Sequence, residues 1–166
     1  MAEHRRATPG APERQVRHSV ESLVLFDYEG KWGMPHRVPY DLEATTSRLL
    51  EVLQRHGTHA MFFVVGRIVE ERGHIVERLH EAGQAIGIHG YRHERMHNLS
   101  PHALDTLGEE LRRAREIVAQ MTGELPRAFR APYLLAPQFV DEDVTRVLLE
   151  AGFTRTSNRL LYWPEK

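Results

Sequence analysis

Ile86-Gly87-Ile88-His89-Gly90-Tyr91-Arg92-His93-Glu94-Arg95-Met96 is the stretch on which the reading of this chain turns. A short apolar run ends in a pair of histidines with a glycine beside the first. Upstream, Leu23-Val24-Leu25-Phe26 has the same habit and runs into Asp27-Tyr28-Glu29-Gly30. Short continuous apolar runs fit strands covered on both faces, as in a parallel sheet. Both runs finish in side chains that can bind a metal ion, so two such strand ends side by side would form one metal site.

Outward from these two runs the pattern alternates. Ala60-Met61-Phe62-Phe63-Val64-Val65, Ala128-Phe129-Arg130 and Phe153-Thr154-Arg155-Thr156 are further strand candidates. Between them lie helical patterns. One begins at Leu42 behind an Asp41 cap, with Leu42, Thr45, Leu49, Leu50, Val52 and Leu53 as its apolar marks, and stops at His56-Gly57. A second covers Ile68 to Leu79, with Gly73 interrupting it or dividing it in two. The longest begins at Ser100-Pro101, an N-cap followed by proline at the first helical position, and ends at Gly123. The last covers 139–150. Strand and helix alternate about four times, which predicts an α/β chain with a parallel sheet and right-handed crossovers. Asp27, Glu29, His89, His93 and Arg130 all fall at or just beyond C-terminal strand ends, the edge that carries active sites in such folds. Residues 1–20, rich in charge, proline and glycine, read as a disordered arm, and 21–166 as one domain. The loop over 28–41 holds Trp32 and Tyr40, which fit a sugar platform and simple packing equally.

Composition narrows the chemistry. With 22 basic and 23 acidic residues the formal net charge is -1, which gives no sign of a nucleic-acid partner. No apolar run approaches a membrane span. The first 20 residues contain no apolar signal core, so a cytoplasmic location is expected. There is no cysteine, so any zinc must be held by His, Asp or Glu, a catalytic rather than a structural ligand set.

Each motif has a plain alternative. His89 and His93, four apart, fit two polar loop residues as well as a ligand pair. Asp27 and Glu29 point the same way in strand geometry; one can bind metal while the other takes a proton, or Asp27 can cap a turn and Glu29 be solvated. Arg130, ahead of Ala131-Pro132-Tyr133, can grip a carboxylate by a two-pronged hydrogen bond or stand as an exposed cation.

Taken together and in order, Phe26-Asp27-Tyr28-Glu29-Gly30, His89-Gly90-Tyr91-Arg92-His93 and Arg130-Ala131-Pro132-Tyr133 resemble the signatures of the NodB-homology polysaccharide deacetylases, carbohydrate esterase family 4, over roughly residues 22–160. The resemblance implies an incomplete, distorted (β/α) barrel that removes acetyl groups from sugars. It implies Asp27 as general base, Glu29, His89 and His93 as metal ligands, Arg130 as the group that orients Asp27, and the Tyr133 backbone N–H as an oxyanion donor. The metal it implies is divalent, zinc first, with cobalt, nickel and manganese also suited to such ligands.

Two features depart from the family pattern. The Asp-x-acid spacing resembles the branch with peptidoglycan-deacetylase-like and allantoinase-like proteins, and a glutamate stands where an aspartate is usual. No histidine follows Arg130, although the family carries a later histidine as general acid. The expectation is a barrel truncated at its C-terminus, either a fragment or a shortened homologue, with an exposed edge that pairing of two copies would cover. The leading functional expectation is metal-dependent hydrolysis of an N-acetyl amide on an amino sugar or polysaccharide. The alternatives are a cyclic amide or ureide hydrolase of allantoinase-like type, and a catalytically impaired metal- or carbohydrate-binding module.

Overall fold

A computed structural model of the chain describes residues 23–30, 41–133 and 140–157. The expected arm over 1–20, Trp32 and Tyr40 lie outside the described residues. Among those described, strands and helices alternate in the order β1 (Val24–Tyr28), α1 (Leu42–Arg55), β2 (Ala60–Val64), α2 (Gly66–Glu71), α3 (Gly73–Glu81), β3 (Ala85–Ile88), α4 (Pro101–Thr122), β4 (Ala128–Phe129), α5 (Glu142–Glu150) and β5 (Arg155–Thr156).

The strands form one parallel sheet in the order β1-β2-β3-β4-β5. Sequential order with every neighbour parallel is how barrel staves are laid; a doubly wound sheet reverses its order at a switch point. Right-handed crossovers in one direction put the helices on one face. The register then sorts the strand residues by parity. Phe26, Phe62 and Ile86 share one rung, and Tyr28, Val64, Ile88 and Phe129 another. These side chains join the apolar core with Ile75, Leu79, Leu111, Val118, Val144 and Leu148 of the helices. The alternate rung, Asp27, Phe63 and Gly87, faces the other way. Continued past the strand ends, this second parity reaches Glu29, His89 and Arg130. One face of the sheet is therefore the core, and the other leads to the candidate chemistry.

Gly87 shows how tight that second face is. A Cβ there would lie 2.7 Å from Phe63 Cδ1 and 3.1 Å from the Ala128 carbonyl oxygen.

Local structure departs from the sequence reading in three places. β1 extends through Tyr28, so Asp27 lies within the strand rather than after it. Pairing to β2 carries the strand past the point where the apolar run ends. In α1 the buried hydroxyl is Thr46, four residues on from Leu42, and not Thr45. Its Oγ1 donates to Leu42 O at 2.6 Å and meets the Tyr28 hydroxyl. Val52 points outward, 48% exposed. The helix expected over 68–79 is divided in two, one of the outcomes expected at Gly73; the break falls at Arg72, whose φ of -142° and ψ of 43° leave the helical region, and Gly73 opens the second piece. The last helix starts at Glu142 behind Asp141, which caps Val144 N at 2.9 Å. α4 follows the reading closely, from Ser100, which caps Ala103 N, to Gly123 in left-handed conformation.

Candidate active site

The C-terminal ends of β1, β3 and β4 bring the motif residues together. Glu29 Oε1 lies 3.0 Å from His89 Nε2 and 3.1 Å from His93 Nε2. One ligand-capable atom from each of the three residues lies within 4.8 Å of the other two. Both histidines are buried, while Glu29 is partly open.

Backbone bonding fixes these positions. His89 N donates to Val64 O at 2.9 Å, and Arg130 N to Ile88 O at 3.0 Å, which aligns the chain just past β3 and β4. The Arg130 carbonyl lies 2.9 Å from His89 Nδ1. A carbonyl can only accept, so Nδ1 carries the proton and Nε2 is the atom turned to Glu29. The loop from His89 to His93 is not helical. Gly90 and His93 both take positive φ, 68° and 60°, and this folds the second ring back beside the first, with centroids 5.3 Å apart.

Arg130 reaches the same edge. Its Nη1 donates to Asp27 Oδ1 at 2.8 Å and its Nη2 to Ser157 Oγ at 2.8 Å. The guanidinium lies 4.7 Å from the centre of the Phe63 ring, a cation–π contact that seats it on the second sheet face. Tyr133, at φ 61°, lays its ring 4.6 Å from that of His93, and Arg95 lies over the Tyr133 ring. Tyr133 is 51% exposed, so it forms part of the rim.

The electrostatics favour a cation among the three. The hydrogen bond with His89, first, and the His93 ring beside it hold the Glu29 carboxyl down at about 2 in spite of burial. His93 Nε2 is buried and makes no hydrogen bond of good geometry, although the Glu29 oxygen is near. A buried polar atom left in this state is costly. The separations of 3.0 and 3.1 Å are close to the roughly 3.3 Å between ligand atoms of a tetrahedral ion bound at about 2.0–2.1 Å. The residues present fit a divalent metal.

All six residues singled out from sequence, Asp27, Glu29, His89, His93, Arg130 and Tyr133, meet at this edge. Sequence reasoning missed Ser157 and Glu94. Ser157 has the same parity past β5 that Arg130 has past β4, and that was its available signal. Glu94 turns its carboxylate back onto the histidine loop, with Oε1 3.3 Å from Tyr91 N and Oε2 2.6 Å from Arg92 N.

Comparison with known proteins agrees with this layout. The family described as polysaccharide deacetylase matches residues 25–156. A peptidoglycan-N-acetylglucosamine deacetylase of Bacillus cereus is 33% identical over 93 residues, covering 56% of this chain and 32% of that protein. A peptidoglycan deacetylase of Helicobacter pylori is 28% identical over 151 residues, covering 86% of this chain and 48% of that one. Among solved structures, a polysaccharide deacetylase from Bacillus cereus superposes with a TM-score of 0.60 at 25% identity, over 80% of this chain and 57% of the other. The chain thus spans less than half the length of these two curated relatives. With its strand order, its convergent Glu29, His89 and His93, and the family match across all five strands, the chain belongs to the polysaccharide deacetylase family.

Proposed function

We propose that this site hydrolyses an N-acetyl amide on an amino sugar of a polysaccharide, with peptidoglycan as the substrate class. The observation that carries the reading is the pairing of two units at one sheet edge: a Glu29–His89–His93 cluster that fits a divalent metal, and an Asp27 carboxylate held by Arg130 at 2.8 Å. The peptidoglycan deacetylases among its relatives support the substrate class.

Glu29, His89 and His93 would hold the metal, zinc by the balance of two imidazoles and a carboxylate. When bound, it supplies Lewis acidity for a carbonyl and for water. The rest falls to the chain. Asp27 takes the proton of the attacking water, and Arg130 keeps the carboxylate aimed. The Tyr133 backbone N–H, in the turn that seats its ring against His93, donates to the developing oxyanion. The leaving nitrogen needs a proton, and the one taken up by Asp27 is at hand for it.

The test is acetate release from N-acetylated chito-oligosaccharides and peptidoglycan fragments with zinc present. Wild type should release acetate, and Asp27→Asn should lose about 10²–10⁴-fold of that rate. Equal release by the two proteins would remove Asp27 as base. Ring opening of cyclic ureides without acetate release would replace the deacetylase reading by the allantoinase-like one.

A further inference from the structure

The loop that presents His93 adopts a conformation that few residues choose, and the structure shows what holds it there. Between His89 and His93 the chain must reverse so that two rings meet one carboxylate. His93 does this at φ 60°, a left-handed conformation in which its Cβ is crowded. Restraints reach the loop from two sides.

From outside, the first turn of α2 donates Gly66 N to Gly90 O and Arg67 N to Tyr91 O, each at 3.0 Å. The Tyr91 ring lies so close over Gly66 that a Cβ there would be 2.4 Å from it. The Tyr91 hydroxyl donates to Glu70, which also pairs with Arg113 of α4. These contacts fix Gly90 and Tyr91. They do not reach His93.

From inside, the Glu94 carboxylate accepts Tyr91 N on one oxygen and Arg92 N on the other. The path from those amides along the backbone to Glu94 and back through its side chain is a closed ring, and His93 is inside it. We propose that Glu94 is a positioning residue for the metal centre: by closing this ring it holds the His93 backbone left-handed and so aims the imidazole at Glu29 and His89. Both oxygens are used, so a carboxylate is required. An amide of the same shape would turn an NH₂ group toward one of the two backbone N–H donors.

This inference rests on the metal reading of Glu29, His89 and His93. It is tested by zinc titration of wild type, Glu94→Gln and Glu94→Ala, with a melting curve of each metal-free protein and amide exchange of Tyr91 and Arg92. Groups that orient metal ligands typically change affinity about 10–100-fold. Zinc affinity should fall about tenfold in Glu94→Gln and further in Glu94→Ala, at a temperature where all three are folded. The two amides, protected in wild type, should both exchange freely in Glu94→Ala, and one of the two in Glu94→Gln. Wild-type zinc affinity in both variants would overturn the proposal, even if their melting temperatures fell, since that is the pattern of a group that serves folding alone. If wild type binds no zinc, the metal reading fails on its own. Loss of amide protection in Glu94→Ala would then still uphold the hold on the loop, and retained protection would overturn it.

Discussion

Gly87→Ala is the substitution that probes the second sheet face most sharply. Gly87 lies in β3, two residues before His89, and pairs with Phe63 of β2. The added methyl would lie 2.7 and 2.8 Å from two atoms of the Phe63 ring and 3.1 Å from the Ala128 carbonyl oxygen. These approaches are several tenths of an ångström inside contact, and neither neighbour yields easily. Phe63 is 2% exposed with the Arg130 guanidinium against its ring, and the carbonyl belongs to β4. Overpacking of this kind costs about 1–3 kcal/mol. For a chain of this size that is a fall in Tm of about 2–12 °C. The displaced Phe63 ring should also carry Arg130 with it and loosen its grip on Asp27. Thermal unfolding measures the first effect. Adding Phe63→Leu to Gly87→Ala measures its origin, because a smaller partner should make the double variant more stable than the sum of the single changes allows. If Gly87→Ala melts with wild type, or if the two changes are additive, the close packing that seats Arg130 is wrong.

Two further outcomes follow, one from Arg130 and one from the cap of α5. Arg130→Met keeps an apolar chain over Phe63 but removes the charged hydrogen bond to Asp27, worth about 1.5–3 kcal/mol, so kcat/KM should fall about 10–150-fold while zinc affinity stays; equal losses in both would place Arg130 in metal binding instead. Asp141 caps α5 and also accepts Asn98 N at 2.8 Å, and these backbone donors, Val144 first, hold its carboxyl below the usual range. Its folded value is depressed, so its stabilisation is complete above the ordinary carboxylate pKa and lost as pH falls through the folded one. Asp141→Asn should therefore lower Tm at pH 6, and the gap to wild type should close below about pH 4.

The parts of this molecule that were legible in the sequence are those set by local pattern. β2 is apolar throughout, and α4 carries both its start signal at Ser100-Pro101 and its stop at Gly123, so each reads from its own residues. β1 ends in Asp27-Tyr28, whose strand character comes from pairing with Phe63 and Val64, and a run-based reading stops too early. The residues of the candidate site were legible because they cluster at strand ends in three short motifs. Ser157 and Glu94 were not. Ser157 acts on an arginine 27 positions away, and Glu94 acts through a loop whose backbone turn no side-chain pattern announces.

Everything proposed for this site depends on Glu29, His89 and His93 holding one divalent ion beside Asp27. A crystal grown with zinc and measured at the zinc absorption edge tests it directly. A metal held by these three residues gives one strong anomalous peak about 2.0–2.2 Å from a Glu29 carboxylate oxygen, His89 Nε2 and His93 Nε2 together. A zinc-soaked crystal with no peak there, and Glu29 still hydrogen-bonded to His89, would contradict it.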